Sequence, residues 1–174
     1  MATFIERAIG AAKLDPATYE EVEHDPDAIG QAVAIVVVAS IAAGIGNAGH
    51  GQSGILAGAA ASLIGWVVWA AVTWLVGTRL LPGPATEADF GQLLRTIGFS
   101  ATPGALAVLG FLPVVGGLVA LAAAIWQLAA MVVAVRQALD YESTGRAIAV
   151  CAIGFLAYLL IAVLFLGGLL SIMR

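Results

Sequence analysis

The side chains with the most conspicuous reactive spacing fall in one turn. His50-Gly51-Gln52-Ser53-Gly54 sets a serine in a G-x-S-G frame three residues after a histidine, the arrangement by which an intramembrane hydrolase presents its nucleophile. Such a nucleophile needs a base within hydrogen-bond reach, held on a separate element. The other histidine, His24, is expected across the membrane from Ser53, and His50 is tied to the same short turn, so no catalytic dyad is expected. Just upstream, Gly44-Ile45-Gly46-Asn47-Ala48-Gly49 matches G-x-G-x-x-G. That fingerprint binds dinucleotides only between a strand and a helix, with an acidic residue about twenty positions on. Here that region carries Trp69 inside an apolar run.

Other reactive groups are equally constrained. Cys151 is the single cysteine, which rules out an intramolecular disulfide or a zinc cage built on thiolates. Glu20, Glu21, Glu23, Asp25 and Asp27 cluster before the first apolar run; such a cluster attracts a basic partner or a cation, although a charge run is usually a solvated face. No ionisable residue lies well inside an apolar run, where a proton- or ion-coupled transporter would keep one. Ser62, Thr73, Ser100, Thr102, Gln127 and Tyr158 would line a polar path if they converged. Basic patches interleaved with aromatics are missing, so nucleic-acid binding is not expected, and neither are a catalytic residue, a cofactor or a metal.

The elements that position these groups are membrane helices. The chain is 61% hydrophobic and only 10% charged, far from the composition of soluble domains. The forty residues from Thr96 to Val135 contain no acidic, basic or histidine side chain, and as one helix would reach about 60 Å, twice a bilayer core. Gly110-Phe111-Leu112-Pro113 interrupts the run, a stop followed by a residue suited to the first turn of a new helix. The pattern predicts an all-α polytopic membrane bundle of five transmembrane helices, at about 28–46, 55–78, 96–112, 113–135 and 147–173. The third, short and containing Pro103, either crosses with a kink or re-enters. Residues 1–27 form a cytoplasmic segment with two short helices. In the first, Phe4, Ile5, Ala8, Ile9 and Ala12 share a stripe, suited to the membrane surface or to packing on the protein's own loops. The second is acidic and framed by Asp15-Pro16 and Asp25-Pro26. Gly54, Gly58 and Ser62 repeat at four-residue spacing, a helix-packing pattern.

With five spans, six of the seven basic residues share one side, which marks that side as cytoplasmic and places the C-terminus outside. At Phe90, Leu93, Leu94, Arg95, Gly98, Phe99 and Pro103, and again at Trp126, Arg136, Ala138, Leu139 and Arg146-Ala147-Ile148, the chain resembles the Yip-one domain family. The resemblance implies five spans and a cytoplasmic N-terminus. In eukaryotes it implies membrane trafficking and binding of prenylated Rab-type GTPases. The long N-terminal region and the aspartate-leucine-x-glycine-proline motif of eukaryotic members are missing, and the composition is similar to that of a bacterial branch in a cytoplasmic membrane. The expectation is a non-enzymatic scaffold or accessory protein contacting partners through Glu20, Glu21, Glu23, Arg136, Asp140, Glu142 and Arg146. The alternative is a small oligomeric channel, transporter or lipid-handling protein, distinguished by a cavity containing Ser100, Thr102, Gln127 or Tyr158.

Overall fold

The computed structural model describes residues 2–47 and 55–172 and, among them, only helices, turns and connecting segments. The helices are α1 (Phe4–Ala12), α2 (Pro16–His24), α3 (Ala28–Gly46), α4 (Ile55–Leu75), α5 (Phe90–Ser100), α6 (Gly116–Ala138) and α7 (Thr144–Ile172). Helix α4 runs on through one π-turn, Val76–Leu80, and α5 runs on as a 3₁₀ segment, Thr102–Phe111. Five of these units are long and apolar enough to cross a bilayer.

The third span begins at Phe90, six residues before the expected Thr96, because its polar first turns are paired internally. Asp89 and Gln92 form a capping box, Asp89 Oδ1 accepting from the Gln92 N–H at 2.8 Å. The Gln92 Nε2 then donates to Glu23 Oε1 at 3.0 Å, and Arg95 donates to the Val22 and Glu23 carbonyls. At its far end Gly110 rests on Gly46. The segment therefore runs the whole length of α3 and is not folded back on itself.

Small residues bring these two helices together. A Cβ at Gly98 would lie 2.7 Å from Ala32 Cβ, one at Gly104 would lie 3.3 Å from Ala39 Cβ, and one at Gly110 would lie 3.4 Å from Gly46 Cα. In α3 the facing positions, Ala32, Ala39 and Gly46, recur every seven residues, about 10.5 Å of α-helix. In the partner they recur every six. The Gly104–Gly110 interval lies wholly in the 3₁₀ segment, where two turns take six residues and about 12 Å, so the change of winding keeps these small residues facing α3.

Pro103 accounts for the change. It has no N–H to give to the Phe99 carbonyl four residues back. The Thr102 hydroxyl donates to that carbonyl instead, at 2.7 Å, and Ser100 Oγ likewise donates to Ile97 O at 2.7 Å. Side-chain hydroxyls and a local 3₁₀ turn are the usual ways a proline is accommodated within a membrane. Beyond Phe111, the turn through Pro113 places Val114 at φ 72°, and α6 starts at Gly116.

The polar loops gather at one end. The Tyr141 hydroxyl donates to Leu81 O at 2.6 Å, locking the end of the π-turn, and Thr86 Oγ1 donates to Leu139 O at 2.8 Å. Three tryptophans of α4 fasten it to its neighbours: Trp66 to Leu94 O, Trp69 to Met131 Sδ and Trp74 to Ala88 O.

Helices α1 and α2 form a hairpin against this bundle. Arg7, 2% exposed, pairs with Glu21 at 2.9 Å and Asp25 at 2.7 Å. Its third partner is Gln31 Oε1 in α3, at 3.3 Å. The hairpin tip is held by Trp126 Nε1, which donates to Ala12 O at 2.7 Å. Ala8 and Ala11 pack inward, while Phe4, Ile5 and Ile9 are exposed. The large residues of the apolar stripe thus face away from the protein, while its Ala8 and the charged Arg7 face into it.

Candidate functional site: an intramembrane cavity

A cavity of about 680 Å³ lies among the five spans, within the about 300–1,000 Å³ typical of ligand sites. It exists because facing helices present alanine and glycine: Ala39 and Ala43 on α3, Ala101 and Ala107 on the third span, Ala120 and Ala123 on α6. Trp66 and Trp69 of α4 and Phe155 of α7 form larger walls. Ala61 and Ser62 of α4, Ala124 and Leu128 of α6 and Phe155 are exposed, so the mouth opens sideways between α4, α6 and α7, toward the bilayer interior.

Two polar groups enter this apolar space, and each is given room by a glycine. A Cβ at Gly104 would lie 2.9 Å from Gln127 Oε1, and one at Gly65 would lie 3.2 Å from the Tyr158 hydroxyl. Tyr158 is oriented by an edge-on contact with Trp69, ring centroids 5.9 Å apart at 76°. Ser40 lines the wall but spends its hydroxyl on Val36 O at 2.7 Å. The Gln127 carboxamide and the Tyr158 hydroxyl have no hydrogen-bond partner among the described residues. A chamber with apolar walls and a few convergent polar groups suits a largely hydrocarbon ligand bearing one polar function.

Of the polar residues read from the sequence, Ser62, Gln127 and Tyr158 meet at this cavity. Ser100 and Thr102 are held by the third span's own carbonyls, and Thr73 is buried beside Gly154 with its hydroxyl unpaired among the described residues. The family positions Gly98, Phe99 and Pro103 are buried: Gly98 at the α3 crossing, Pro103 at the change of winding, and Phe99 in the core with Ala11, Tyr19 and Ala134. A Cβ at Gly58 would meet nothing within 4 Å, and Ser62 is exposed at the cavity mouth. The close helix crossing uses the Ala32, Ala39 and Gly46 stripe instead. Gly54, His50 and Ser53 lie outside the described residues.

The charged positions singled out for partner contact lie at the polar end. Glu21 pairs with Arg7, and Glu23 is buried against Gln92. Burial, together with the charges of Asp140 and Glu20, pushes the Glu23 pKa up to about 7. Arg136 donates to Tyr141 O at 3.1 Å and to Glu142 O at 3.3 Å, and the Arg146 guanidinium lies over the Tyr141 ring at 5.6 Å. Glu20, Asp140 and Glu142 are exposed. The roles that the sequence does not announce are the docking of the N-terminal hairpin by Trp126 and the room that glycines leave behind Gln127 and Tyr158, because each depends on a residue on another helix.

Five apolar helices around a laterally open cavity, with their charged loops at one end, define an integral membrane helical bundle. Within that class the chain belongs to the Yip1 domain family, whose family model matches residues 14–165. This agrees with the resemblance carried by Gly98, Phe99 and Pro103. No curated protein and no solved structure matches the chain.

Proposed function

We propose that this Yip1-family protein is a non-enzymatic membrane component that holds a hydrocarbon chain of a membrane amphiphile in its intramembrane cavity. The reading rests on the paired arrangement of Gln127 over Gly104 and Tyr158 over Gly65, which presents two hydrogen-bonding groups inside an apolar chamber open to the bilayer. The chain enters between α4, α6 and α7; Gln127 and Tyr158 receive its ester, hydroxyl or other polar function. The basic residues gathered at the polar end support a cytoplasmic placement of that end.

The test is native mass spectrometry of protein extracted from vesicles of defined lipid. Wild type is expected to retain one lipid. Ala61→Phe with Ala124→Phe, which fills the exposed mouth without crowding the core, is expected to lose it while keeping its helical content. Retention unchanged by that filling, or no lipid retained by folded wild type, would refute the assignment.

A second role is favoured by the α6–α7 loop. Asp140 and Glu142 are exposed and pair with no cation among the described residues, on a turn stiffened by Arg136 and Arg146. This loop offers a docking surface for a basic protein partner. Affinity capture in nanodiscs tests it: a stoichiometric partner lost on Asp140→Lys with Glu142→Lys supports docking, and capture indifferent to those changes removes it.

A further inference from the structure

Helix α2 carries Glu20, Glu23 and His24, positions i, i+3 and i+4 of one helix and therefore one face. One ligand atom from each, two carboxylate oxygens and an imidazole nitrogen, lie within 4.8 Å of one another. Gln137 Nε2 donates to Glu20 Oε2 at 3.4 Å, so this face is turned to the C-terminal end of α6. Asp140, next to that end with φ 51°, adds a carboxylate whose charge is felt at both Glu23 and His24.

Exposed acids alone would signify little, but Glu23 is not exposed. It is 1% accessible, with Oε1 engaged by Gln92 and Oε2 buried without a hydrogen-bond partner among the described residues. Most buried polar atoms in native proteins are satisfied, and a bound water or ion is one of the standard partners of an orphan. His24 Nδ1 is 2.9 Å from the Glu20 carbonyl oxygen and 3.8 Å from Glu20 Oε1, so the ring lies beside the Glu20 carboxylate. When Nδ1–H donates to the carbonyl, the lone pair is left on Nε2, and a backbone carbonyl holding one ring nitrogen is a usual support of a metal-binding histidine.

We propose that Glu20, Glu23 and His24 form a binding site for a divalent transition-metal cation, with Asp140 as the neighbouring carboxylate. The donor set decides the class. Two carboxylates and an imidazole suit a borderline cation such as Zn²⁺, whereas Mg²⁺ and Ca²⁺ favour oxygen-only shells. The ion is held among the Glu20, Glu23 and His24 donors and ties α2, and through it the N-terminal hairpin, to the end of α6. This inference is independent of the cavity reading.

The experiment is calorimetric titration of ZnCl₂ into chelator-stripped full-length protein in a neutral maltoside detergent, with MgCl₂ in parallel. One equivalent of Zn²⁺ is expected, with at least tenfold weaker affinity for Glu23→Gln and for His24→Ala, and no change for Glu87→Gln, an exposed acid elsewhere on the polar end. Zn²⁺ should also raise the unfolding temperature of wild type and not of His24→Ala. His24 is 63% exposed, so its variant keeps the fold and carries the test if Glu23→Gln does not. No stoichiometric Zn²⁺ binding, or binding equal in wild type and His24→Ala, would overturn the site.

Discussion

Gly98→Ala tests the α3 crossing directly. The added Cβ would sit 2.7 Å from Ala32 Cβ, 3.2 Å from Trp66 Cζ2 and 3.3 Å from Ala32 Cα, where unstrained carbon contacts are about 3.5–4.0 Å. None of these atoms is the free end of a flexible chain: two belong to α3 itself, and the third is an indole anchored to Leu94 O. The helices must separate by several tenths of an ångström, which also loosens the Gly104–Ala39 contact. Overpacking of this kind costs about 1–3 kcal/mol, and at about 2–4 °C per kcal/mol for a chain this long the expected fall in unfolding temperature is about 2–12 °C. Ala32→Gly removes the opposing Cβ at its own helix-propensity cost of about 1 kcal/mol. Combined with Gly98→Ala it should restore packing, giving a favourable coupling of at least about 1 kcal/mol. Thermal unfolding followed by tryptophan fluorescence in nanodiscs reads all four variants. A silent Gly98→Ala, or additive effects in the double variant, would refute the close crossing.

Further predictions follow from other contacts. Thr102→Val should cost about 1 kcal/mol in wild type but almost nothing alongside Pro103→Ala, where a restored N–H can serve the Phe99 carbonyl; a thermal double-variant cycle checks this. Tyr141→Phe, which strips the donor to Leu81 O, should cost about 0.5–1.5 kcal/mol and speed proteolysis at 76–81. Arg7→Ala leaves Glu21 and Asp25 unpaired. Both remain partly in water, so the loss should be about 2 kcal/mol, below the fully buried case, and visible as lowered protection of α1 amides from hydrogen exchange. Asp15 accepts from Thr18 Oγ1 and the Ala17 N–H, which hold its carboxyl below the usual 3.8. Its stabilisation is therefore complete above that ordinary value and lost as pH falls through the lowered one. Acid unfolding of Asp15→Asn should lack that component.

How much could be read in advance depended on whether a residue acts through its own helix or through another. The five apolar runs, the Gly110–Pro113 break and the Asp15-Pro16 cap are local features, and each has its helix, turn or cap in the structure, although the third run is extended back to Phe90 by contacts its own residues do not announce. Gln127 and Tyr158 were recognisable as polar groups in apolar runs, but their convergence depends on the way α6 and α7 face each other. The Ala32, Ala39 and Gly46 stripe is hard to see because its partner repeats at six residues rather than seven, a spacing that makes sense only once Pro103 has changed the winding. Helix α1 shows a different limit. Amphipathic patterning groups Phe4, Ile5 and Ile9 together, but it also adds the inward-packed Ala8 and does not say which surroundings each face meets. Here Phe4, Ile5 and Ile9 turn outward while Arg7 is buried among carboxylates. Glu23 lies in a run that reads as solvated, and Gln92 and Arg95, some seventy residues away, bury it.

The 3₁₀ winding of Thr102–Phe111 bears on how the protein fits its bilayer. Ten residues rise about 20 Å in a 3₁₀ helix and about 15 Å in an α-helix. The hydrophobic thickness matched by the third span is therefore set by how it is wound as much as by its residue count. A change in the winding of that segment would shift Phe111 and the following turn by about 5 Å and break the Gly110–Gly46 contact. Hydrophobic mismatch costs only fractions of a kcal/mol per ångström, so the packing against α3, rather than the lipid, fixes the length of this span.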